Sequence, residues 1–395
     1  MSDRRSLSAD LAVIGAGVIG LACAWRAAQR GLRVVVLERD RPGAGSSGVA
    51  AGMLAPVSEA LLTEQPLLRL GLASAASYPS FVAEVEESAG VSTGYVRCGT
   101  LLAARDADDA EALGRELALR TRLGLAVERL RASEARQLEP ALAPALRLAL
   151  HIPDDHAIDP RRLLHALSIA LGHAGGELRT GAAAQEIVLA GDRVAGVRLA
   201  DGQTVSAEHV LISSGPWTIA GLPEAARVPL RPVKGQILRL HDPADPRTGG
   251  VANGDAGSPG LIEHVLRFRG GYVVPRGDGR YVLGATMEER GFETHVTAGA
   301  VYELLRDACE LLPGVGELVL DEVSAGLRPA TPDNAPVIGP GVLPGLHWAV
   351  GHYRHGVLLA PVTADAVAAQ LAGEEPAEHA AVFGAERFAG LAVGA

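Results

Sequence analysis

The length and composition of the chain are those of a globular protein large enough for two domains. Of its 395 residues, 48% are hydrophobic and 21% are charged, which is ordinary for that class. The net charge of −10 and the lack of a basic block argue against nucleic acid or anionic lipid as the main partner. No uninterrupted apolar run is long enough to cross a bilayer, so no membrane association is expected. Three widely spaced cysteines favour a reducing, cytoplasmic compartment and offer no disulfide or zinc pattern.

The strongest pattern in the sequence lies in its first forty residues. An apolar strand is predicted over 10–14, an alanine-rich helix over 21–29 and a second apolar strand over 33–37. Glycines separate the first strand from the helix, and Glu38 follows the second strand. This order is typical of a dinucleotide-binding βαβ unit. A glycine-rich turn in an unrelated βαβ unit and a secretory signal ending near Ala22-Cys23-Ala24 are the alternatives.

Each glycine of this βαβ unit is expected to have its own structural role. Gly15 permits the tight turn, Gly17 lets backbone approach a pyrophosphate, and Gly20 lets the helix pack closely on the sheet. The helix N-terminus offers unpaired N–H groups and a positive dipole end to the phosphates. Glu38 is placed to accept hydrogen bonds from ribose hydroxyls.

A small, glycine-rich segment, 39–54, follows Glu38. Its small residues allow backbone to approach a flat ligand, and the hydroxyls of Ser46 and Ser47 can serve phosphate oxygens. A flexible surface loop is the alternative. The position directly after the nucleotide signature favours the ligand-binding interpretation.

The middle of the first half carries apolar residues at helical spacing, with one candidate strand over 94–103. The spacing predicts helices over 61–72, 77–89, 107–125 and 133–138. No constellation of reactive groups stands out between residues 55 and 150, so this part is expected to be scaffold.

Strand-like segments dominate the second half. A helix from Asp159 to about His173 precedes them, and helices are also predicted over 298–312 and 357–372. Strands are predicted over 184–188, 193–199, 204–206, 210–212, 230–240, 266–274, 280–285 and 346–350, with a polar loop over 241–260. Gly215, after the fourth of these strands, is expected at a sheet edge facing a ligand, with a plain strand terminus as the alternative. The turn 351–356 and the last helix form a second strand, glycine turn and helix unit.

Six short motifs then point to a known group. They are Ile14-Gly15-Ala16-Gly17-Val18-Ile19-Gly20, Ala50-Ala51-Gly52-Met53-Leu54, Tyr272-Val273-Val274-Pro275-Arg276, Gly284-Ala285-Thr286-Met287, Gly326-Leu327-Arg328-Pro329 and Gly351-His352-Tyr353-Arg354-His355-Gly356. Together they resemble the D-amino-acid oxidase superfamily of flavoproteins and, within it, the glycine oxidases of the thiamine pathway. The first motif is shared by many FAD proteins, whereas the last four are specific to amine and amino-acid oxidases.

The resemblance, which spans nearly the whole chain, implies an α/β fold. It consists of a Rossmann-like FAD-binding domain and a discontinuous, mixed-sheet substrate domain like that of D-amino-acid oxidase. The implied FAD-binding segments are 1–84, 150–225 and 322–395, and the implied substrate-domain segments are 85–149 and 226–321. A homo-oligomer, a tetramer in related enzymes, is implied as well.

The resemblance also implies which residues form the site. Arg328 would pair with the substrate carboxylate, Tyr272 would place its hydroxyl beside it, Arg354 would be a further substrate-side arginine, and Met287 would shape the pocket. A noncovalent FAD would be held by Gly15, Gly17, Val18, Ile19, Gly20, Glu38, Arg39, Ser46, Ser47, Ala51, Gly52, Met53, Ala184 through its main chain, Gly215, His352, Tyr353, Arg354, His355, Gly356, Val357 and Leu358.

Structural explanations for some of these residues remain open. Arg328 in a proline-rich turn also suits an ion-pair arginine, and Tyr272 alone also suits a core tyrosine. Arg354 lies between two histidines, but no carboxylate or cysteine completes a metal site there, so a plain turn is the alternative and no metal is expected.

The implied activity is oxidation of glycine and small amines such as sarcosine to an imine or 2-oxo acid, with O2 reduced to H2O2. The helix after Gly356 is expected to stabilise negative charge growing on the flavin. The imine would supply dehydroglycine for the thiazole of thiamine, by transfer to a thiazole synthase. The alternatives are a D-amino-acid dehydrogenase passing electrons to a quinone and a flavin-binding accessory subunit without turnover.

Overall fold

The computed structural model describes residues 7–217, 219–248 and 260–388, so most of the predicted loop 241–260 lies outside the described residues. Within these ranges the strands are β1 (Leu7–Ile14), β2 (Val34–Leu37), β3 (Met53–Leu54), β4 (Thr100–Ala104), β5 (Glu128–Arg131), β6 (Leu148–Ile152), β7 (His156–Ala157), β8 (Glu177–Arg179), β9 (Ala184–Ala190), β10 (Arg193–Leu199), β11 (Thr204–Ile212), β12 (Arg231–His241), β13 (Val265–Phe268), β14 (Gly271–Pro275), β15 (Arg280–Gly284), β16 (Val319–Ala330), β17 (Val337–Pro340) and β18 (Leu346–Val350). The helices there are α1 (Val18–Gln29), α2 (Ser46–Val49), α3 (Gln65–Ala89), α4 (Ala107–Arg122), α5 (Ala132–Leu138), α6 (Pro160–His173), α7 (Ala298–Leu311), α8 (Ala360–Leu371) and α9 (Glu378–Ala381).

The first sheet has the strand order β17-β18-β11-β1-β2-β8; β10 pairs antiparallel with β11, and β9 pairs antiparallel with β10. Its central strands β18, β11, β1, β2 and β8 run parallel. Alternate residues of β1 enter different cores: Leu11 and Val13 face the helices α1, α6 and α8, whereas Ala12 and Ile14 face the opposite side. Because both faces are covered, these strands are continuous apolar runs in the sequence.

The second sheet has the order β16-β12-β15-β14-β13-β4-β6-β5. Its neighbours are antiparallel except for β13 and β4, which run parallel. The apolar side of α7 packs on one face through Leu304, Ala308 and Leu311. The predicted α/β fold with a mixed second sheet is therefore confirmed.

Some element boundaries differ from the prediction. The two helices predicted over 61–72 and 77–89 are one helix, α3, which continues through Pro79. Its buried face, which includes Tyr78 and Phe81, packs on α6 and α8. That packing outweighs the lost backbone hydrogen bond and the steric conflict of an interior proline. The segment predicted as one strand over 266–274 is split into β13 and β14 by a tight turn at Gly270, whose φ is +99°.

Strand pairing also bears on the domain division, which remains a prediction. All of β16 pairs with β12 of the second sheet, from Arg231 opposite Ala330 to His241 opposite Val319. The prediction assigned residues from 322 onward to the FAD-binding domain, so the chain leaves the second sheet later than that boundary. None of the helices within the described ranges is long and apolar enough to span a bilayer.

Candidate active site

A cavity of about 660 Å³ lies where the carboxyl ends of the parallel strands of the first sheet meet the second sheet. From the first sheet it is lined by the ends of β1, β2, β11 and β18, and from the second by β12, β14 and β16. The carboxyl ends of parallel strands are where open α/β sheets bind ligands, because the loops and helix N-termini converge there.

The turn after β1 is held in one shape by its glycines. Gly15 has a φ of +104°, and a Cβ there would lie 2.7 Å from the carbonyl oxygen of Ser213. A Cβ at Gly20 would overlap the carbonyl oxygen of Gly15, so this residue serves close packing of α1 and does not line the cavity. The Val18 N–H donates to Oγ of Ser47 at 3.1 Å, which joins the helix N-terminus to the following serine segment.

Glu38 closes one end of the cavity with an aromatic wall beside it. One of its carboxylate oxygens accepts the Ala16 N–H at 2.8 Å. The guanidinium of Arg39 lies over the ring of Trp217, 4.1 Å from its centroid, and Phe292 approaches the same ring at 6.4 Å. Neither Trp217 nor Phe292 was predicted as a site residue, because a single aromatic residue carries no spacing signal.

The opposite end of the cavity carries Arg328 and Tyr272. Nη1 of Arg328 donates to the carbonyl oxygens of Lys234 at 3.3 Å and Thr286 at 3.1 Å. A Cβ at Gly235 would overlap the Arg328 guanidinium, so glycine is needed for the arginine to lie flat on β12. Arg328 lies on β16 and not in the predicted proline-rich turn. Burial raises the pKa of the Tyr272 hydroxyl against the opposing charge of Arg328, so the phenol stays protonated.

Glu59 reaches the same end from a segment that was predicted to be scaffold, and that prediction is wrong at this residue. Its carboxylate lies 3.5 Å from Nη2 of Arg267 and 3.6 Å from Nδ1 of His355. Burial alone would raise the pKa of this carboxyl, but the positive charges of Arg267 first, and of Arg354 and Arg328, hold it below its ordinary value. Glu59 is therefore an ionised carboxylate at the arginine-rich end of the cavity.

Buried charged residues from distant segments fix the loop that presents Glu59. The Asp155 carboxylate accepts the N–H groups of Val57 at 3.1 Å and Ser58 at 2.6 Å. Arg120 donates to the carbonyl oxygens of the same two residues at 3.0 and 2.7 Å. Asp155 and Arg120 lie far from Glu59 in sequence, so no local pattern could have indicated this arrangement.

The turn after β18 supplies a further wall. Tyr353 adopts a left-handed φ of +46°, and the Arg354 guanidinium lies 5.4 Å from the ring centroid of Tyr353. The hydroxyl of Tyr78 in α3 donates a hydrogen bond to the carbonyl oxygen of Val357 at 2.9 Å. This bond anchors the turn to α3. The following helix, α8, begins at Ala360 and not at Val357 as predicted, after a hydrogen-bonded turn in which the Leu359 N–H donates to the His355 carbonyl.

Burial keeps the histidines of this turn neutral. His352 bonds through Nε2 with the Thr363 hydroxyl at 3.0 Å, and burial lowers its pKa to about 3. Burial also lowers the pKa of His355, although the neighbouring Glu59 carboxylate acts in the opposite direction. The turn therefore presents Arg354 as its positive charge.

The structure brings most of the predicted site residues to this one cavity. They are Gly15, Gly17, Val18, Ile19, Glu38, Arg39, Ser46, Ser47, Ala51, Gly52, Met53, Ala184, Gly215, Tyr272, Arg328, His352, Tyr353, Arg354, His355, Gly356 and Val357. Gly20, Leu358 and Met287 do not line it. Leu358 is buried beside a smaller neighbouring cavity, and Met287 is 60% exposed with its sulfur 3.4 Å from the Tyr353 hydroxyl.

Comparison with known proteins gives one consistent result. The family model described as FAD dependent oxidoreductase matches residues 10–370. Glycine oxidase of Geobacillus kaustophilus is 34% identical over 384 residues, which cover 96% of this chain and 97% of that protein. The crystal structure of glycine oxidase from the same organism has a TM-score of 0.86 and 32% identity, and the match covers 96% of this chain and 99% of that one.

A longer relative matches over part of its length. The bifunctional protein ThiO/ThiG of Synechocystis sp. is 33% identical over 383 residues, which cover 96% of this chain and 54% of that protein. The chain thus spans about half the length of this relative.

Proposed function

Because the chain belongs to the FAD dependent oxidoreductase family, we propose that it oxidises glycine and small primary or secondary amines such as sarcosine. The observation that carries the proposal is Arg328, held by two carbonyl groups at the end of the cavity opposite the glycine turn. The resemblance to glycine oxidases over nearly the whole chain supports the same substrate class.

The residues of the cavity fit FAD. The turn at Gly15 and Gly17 leaves the N-terminus of α1 open toward the cavity, which suits a pyrophosphate. Glu38 is anchored by the Ala16 N–H at the end of β2, where it can also accept a ribose hydroxyl. The turn 351–357 would hold the opposite end of the cofactor. When bound, FAD supplies the acceptor for the two electrons that leave the substrate.

Arg328 would bind and orient the substrate. Since Nη1 is committed to the Lys234 and Thr286 carbonyls, the guanidinium cannot rotate, and its other N–H groups remain for a carboxylate. A fixed carboxylate fixes the α-carbon as well, which is the main positioning that hydride transfer requires of the protein. The protonated hydroxyl of Tyr272 can donate a second hydrogen bond at this end.

Reduction of a bound flavin by a panel of amines tests the proposal without oxygen. We expect glycine and sarcosine to bleach the flavin absorbance faster than a bulky D-amino acid, and glycine under air to release H2O2. No turnover of glycine beside fast turnover of the bulky amine would reject the proposal. Slow reoxidation by oxygen would instead favour the quinone-linked dehydrogenase.

The variant Arg328→Ala tests the role of the anchor itself. The substrate carboxylate would lose its buried partner, so we expect kcat/KM for glycine to fall by about a hundredfold or more. The affinity for FAD, measured by quenching of flavin fluorescence, should be retained. A decrease of less than about fivefold would show that Arg328 is not the carboxylate anchor.

We also propose that the imine product passes to another enzyme. The relative ThiO/ThiG of Synechocystis sp. is a bifunctional protein, and this chain matches about half of its length. That arrangement supports transfer of the imine from this enzyme to a thiazole synthase. The tetramer implied by the resemblance stays a prediction, which sedimentation of the purified protein can check.

A further inference from the structure

Lys234 is the only lysine in the sequence, and its side chain is completely buried. Its ammonium group lies 3.1 Å from a carboxylate oxygen of Glu293 and 3.7 Å from one of Glu288. Both acids belong to the segment that joins β15 to α7. Lysine is almost never fully buried unless its charge is paired, because removing an ammonium group from water is costly. The proposed oxidation uses only the backbone carbonyl of Lys234 and leaves this buried charge unexplained.

The Lys234 side chain lies on the face of β12 that is turned away from the cavity. Gly235 and Ile237 line the cavity, whereas Lys234 and Gln236, which alternate with them along the strand, do not. Arg328 crosses the cavity face at Gly235, where a Cβ would overlap its guanidinium. The strand therefore carries the substrate anchor on one face and the buried ammonium group on the other.

Glu288 connects the two faces. Its backbone pairs with that of Lys234 through hydrogen bonds of 2.9 and 3.0 Å. Its Oε1 accepts hydrogen bonds from the Thr286 hydroxyl at 2.6 Å and from Nε2 of Gln236 at 2.7 Å. The carbonyl oxygen of the same Thr286 accepts a hydrogen bond from Nη1 of Arg328 at 3.1 Å. The Glu288 carboxylate therefore fixes a residue that holds the substrate anchor.

The ammonium group keeps this carboxylate in place. Burial alone would raise the pKa of Glu288, but hydrogen bonds from Thr286 and Gln236 and the positive charge of Lys234 hold it below its ordinary value. The carboxylate is therefore ionised, and without a counterion it would gain free energy by turning toward water. Glu288 is 23% exposed, so such a turn is open to it. The turn would release the Thr286 hydroxyl and loosen the carbonyl that holds Arg328.

We propose that Lys234 is a positioning residue for the substrate anchor, and that its buried ammonium group acts through Glu288 and Thr286 on Arg328. This inference rests on the proposed amine oxidation, because it concerns how the carboxylate anchor of that reaction is held. Lys234 does not line the cavity. Its charge therefore changes the affinity for a carboxylate without changing the space available to the ligand.

Binding of acetate to the FAD-loaded protein, followed by the change in flavin absorbance, tests the proposal without turnover. In Lys234→Met the affinity for acetate should fall by about tenfold, because a binding group that is no longer held in place loses much of its contribution. The affinity for FAD, measured by quenching of flavin fluorescence, should be retained.

The matched control is Arg290→Met, which removes a positive charge from an exposed position of the same segment. Its affinity for acetate should stay within about twofold of that of the parent protein, because exposed charges are screened by salt.

A double variant distinguishes the charge relationship from a general loosening of the fold. Adding Glu288→Gln to Lys234→Met removes the charge that lost its counterion and keeps an oxygen that accepts the Thr286 hydroxyl. The affinity for acetate should then return to within about threefold of that of the parent protein. A variant that merely loosens the fold would lose further affinity with the second change.

The outcomes separate this inference from the proposed function. Unchanged acetate affinity in Lys234→Met, or a loss that Glu288→Gln does not restore, overturns the inference even if glycine is oxidised. If Lys234→Met gives no folded protein, Thr286→Val tests the same link with every charge in place, and unchanged acetate affinity there also overturns it. An acetate affinity that depends on Lys234, in a protein whose flavin no amine reduces, overturns the proposed oxidation and leaves the positioning role standing.

Discussion

At the scale of single residues, the site is shaped by which charges are paired and which are left for a ligand. The clearest example is Glu59, whose charge affects the binding of an anionic substrate group. Its ionised carboxylate faces the end of the cavity that carries Arg328 and Arg354. It therefore opposes the binding of an anionic substrate group at the same place that the arginines favour it.

The change Glu59→Gln should strengthen the binding of a simple carboxylate. Removing one negative charge lowers the repulsion of the ligand by about 1–2 kcal/mol for a separation of roughly 8–16 Å at an effective dielectric constant near 20, which corresponds to roughly five- to thirtyfold in Kd. Titration of acetate into the FAD-loaded protein measures this change. The loop should stay in place because Asp155 and Arg120 hold the backbone of Val57 and Ser58.

The control for this change is Glu111→Gln, which removes an exposed acid of α4 and should leave acetate binding unaltered. Weaker acetate binding in Glu59→Gln would mean that Glu59 positions the arginines and does not merely oppose the ligand.

At the scale of elements, the contact between α1 and the turn after β1 places the N-terminus of the helix at the cavity. Gly20 makes this contact, although it does not itself line the cavity. A Cβ there would overlap the Gly15 carbonyl oxygen and come within 2.5 Å of Oγ of Ser213, and the first of these atoms belongs to the backbone and cannot move aside cheaply.

The change Gly20→Ala should therefore be destabilising by at least about 2 kcal/mol, because the helix must move away from the sheet. Denaturant unfolding monitored by circular dichroism measures the loss, and flavin fluorescence should show weaker FAD binding. Gly114→Ala in α4 is the matched control, since nothing lies within 4 Å of a Cβ at that position. This control should be neutral or stabilising by up to about 1 kcal/mol. Equal stability of the two variants would contradict the close-packing role of Gly20.

Sequence patterns identify site residues that lie in one contiguous segment, but not those whose surroundings come from distant segments. The glycine turn after β1 and the turn at 351–356 are each one contiguous segment, so each is visible as a motif in the sequence, and both line the cavity. The ligand roles assigned to their residues remain predictions. Glu59 is different, because its environment is made by Asp155, Arg120 and Arg267 from three other parts of the chain. The start of α8 was also missed, since the turn held by the His355 carbonyl has the same composition as a first helical turn.

At the scale of the whole molecule, complete or partial burial keeps several histidines neutral. Burial lowers the pKa of His347 to about 4 and that of His352 to about 3. The pKa values of His156, His209 and His355 are also lowered, with burial as the first cause in each. In the unfolded chain these groups titrate near 6.5, so that state binds more protons below this pH. Stability contributed by these histidines is present above about pH 6.5 and is lost as the pH falls.

Asp155 acts in the opposite direction. Burial raises its pKa to about 6, against hydrogen bonds from Ser58 and Val57 that lower it, so the folded state binds a proton there before the unfolded chain does. Between pH 7 and pH 5 the uptake of this proton by the folded state adds roughly 1 kcal/mol to the free energy of unfolding. Over the same interval the free energy of unfolding contributed by His347 and His352 falls by about 2 kcal/mol each, so the net effect is a loss of about 2–3 kcal/mol.

We therefore expect the free energy of unfolding of the FAD-saturated protein to fall by about 2–3 kcal/mol between pH 7 and pH 5. Denaturant unfolding at a series of pH values measures it. His347→Leu should flatten this slope, because the buried His347, whose Nδ1 has no partner among the described residues, no longer needs to charge. His295→Gln, at a side chain that is 89% exposed, should keep the slope of the parent protein. Stability that rises toward pH 5 would mean that Asp155 and not the buried histidines governs the response to acid.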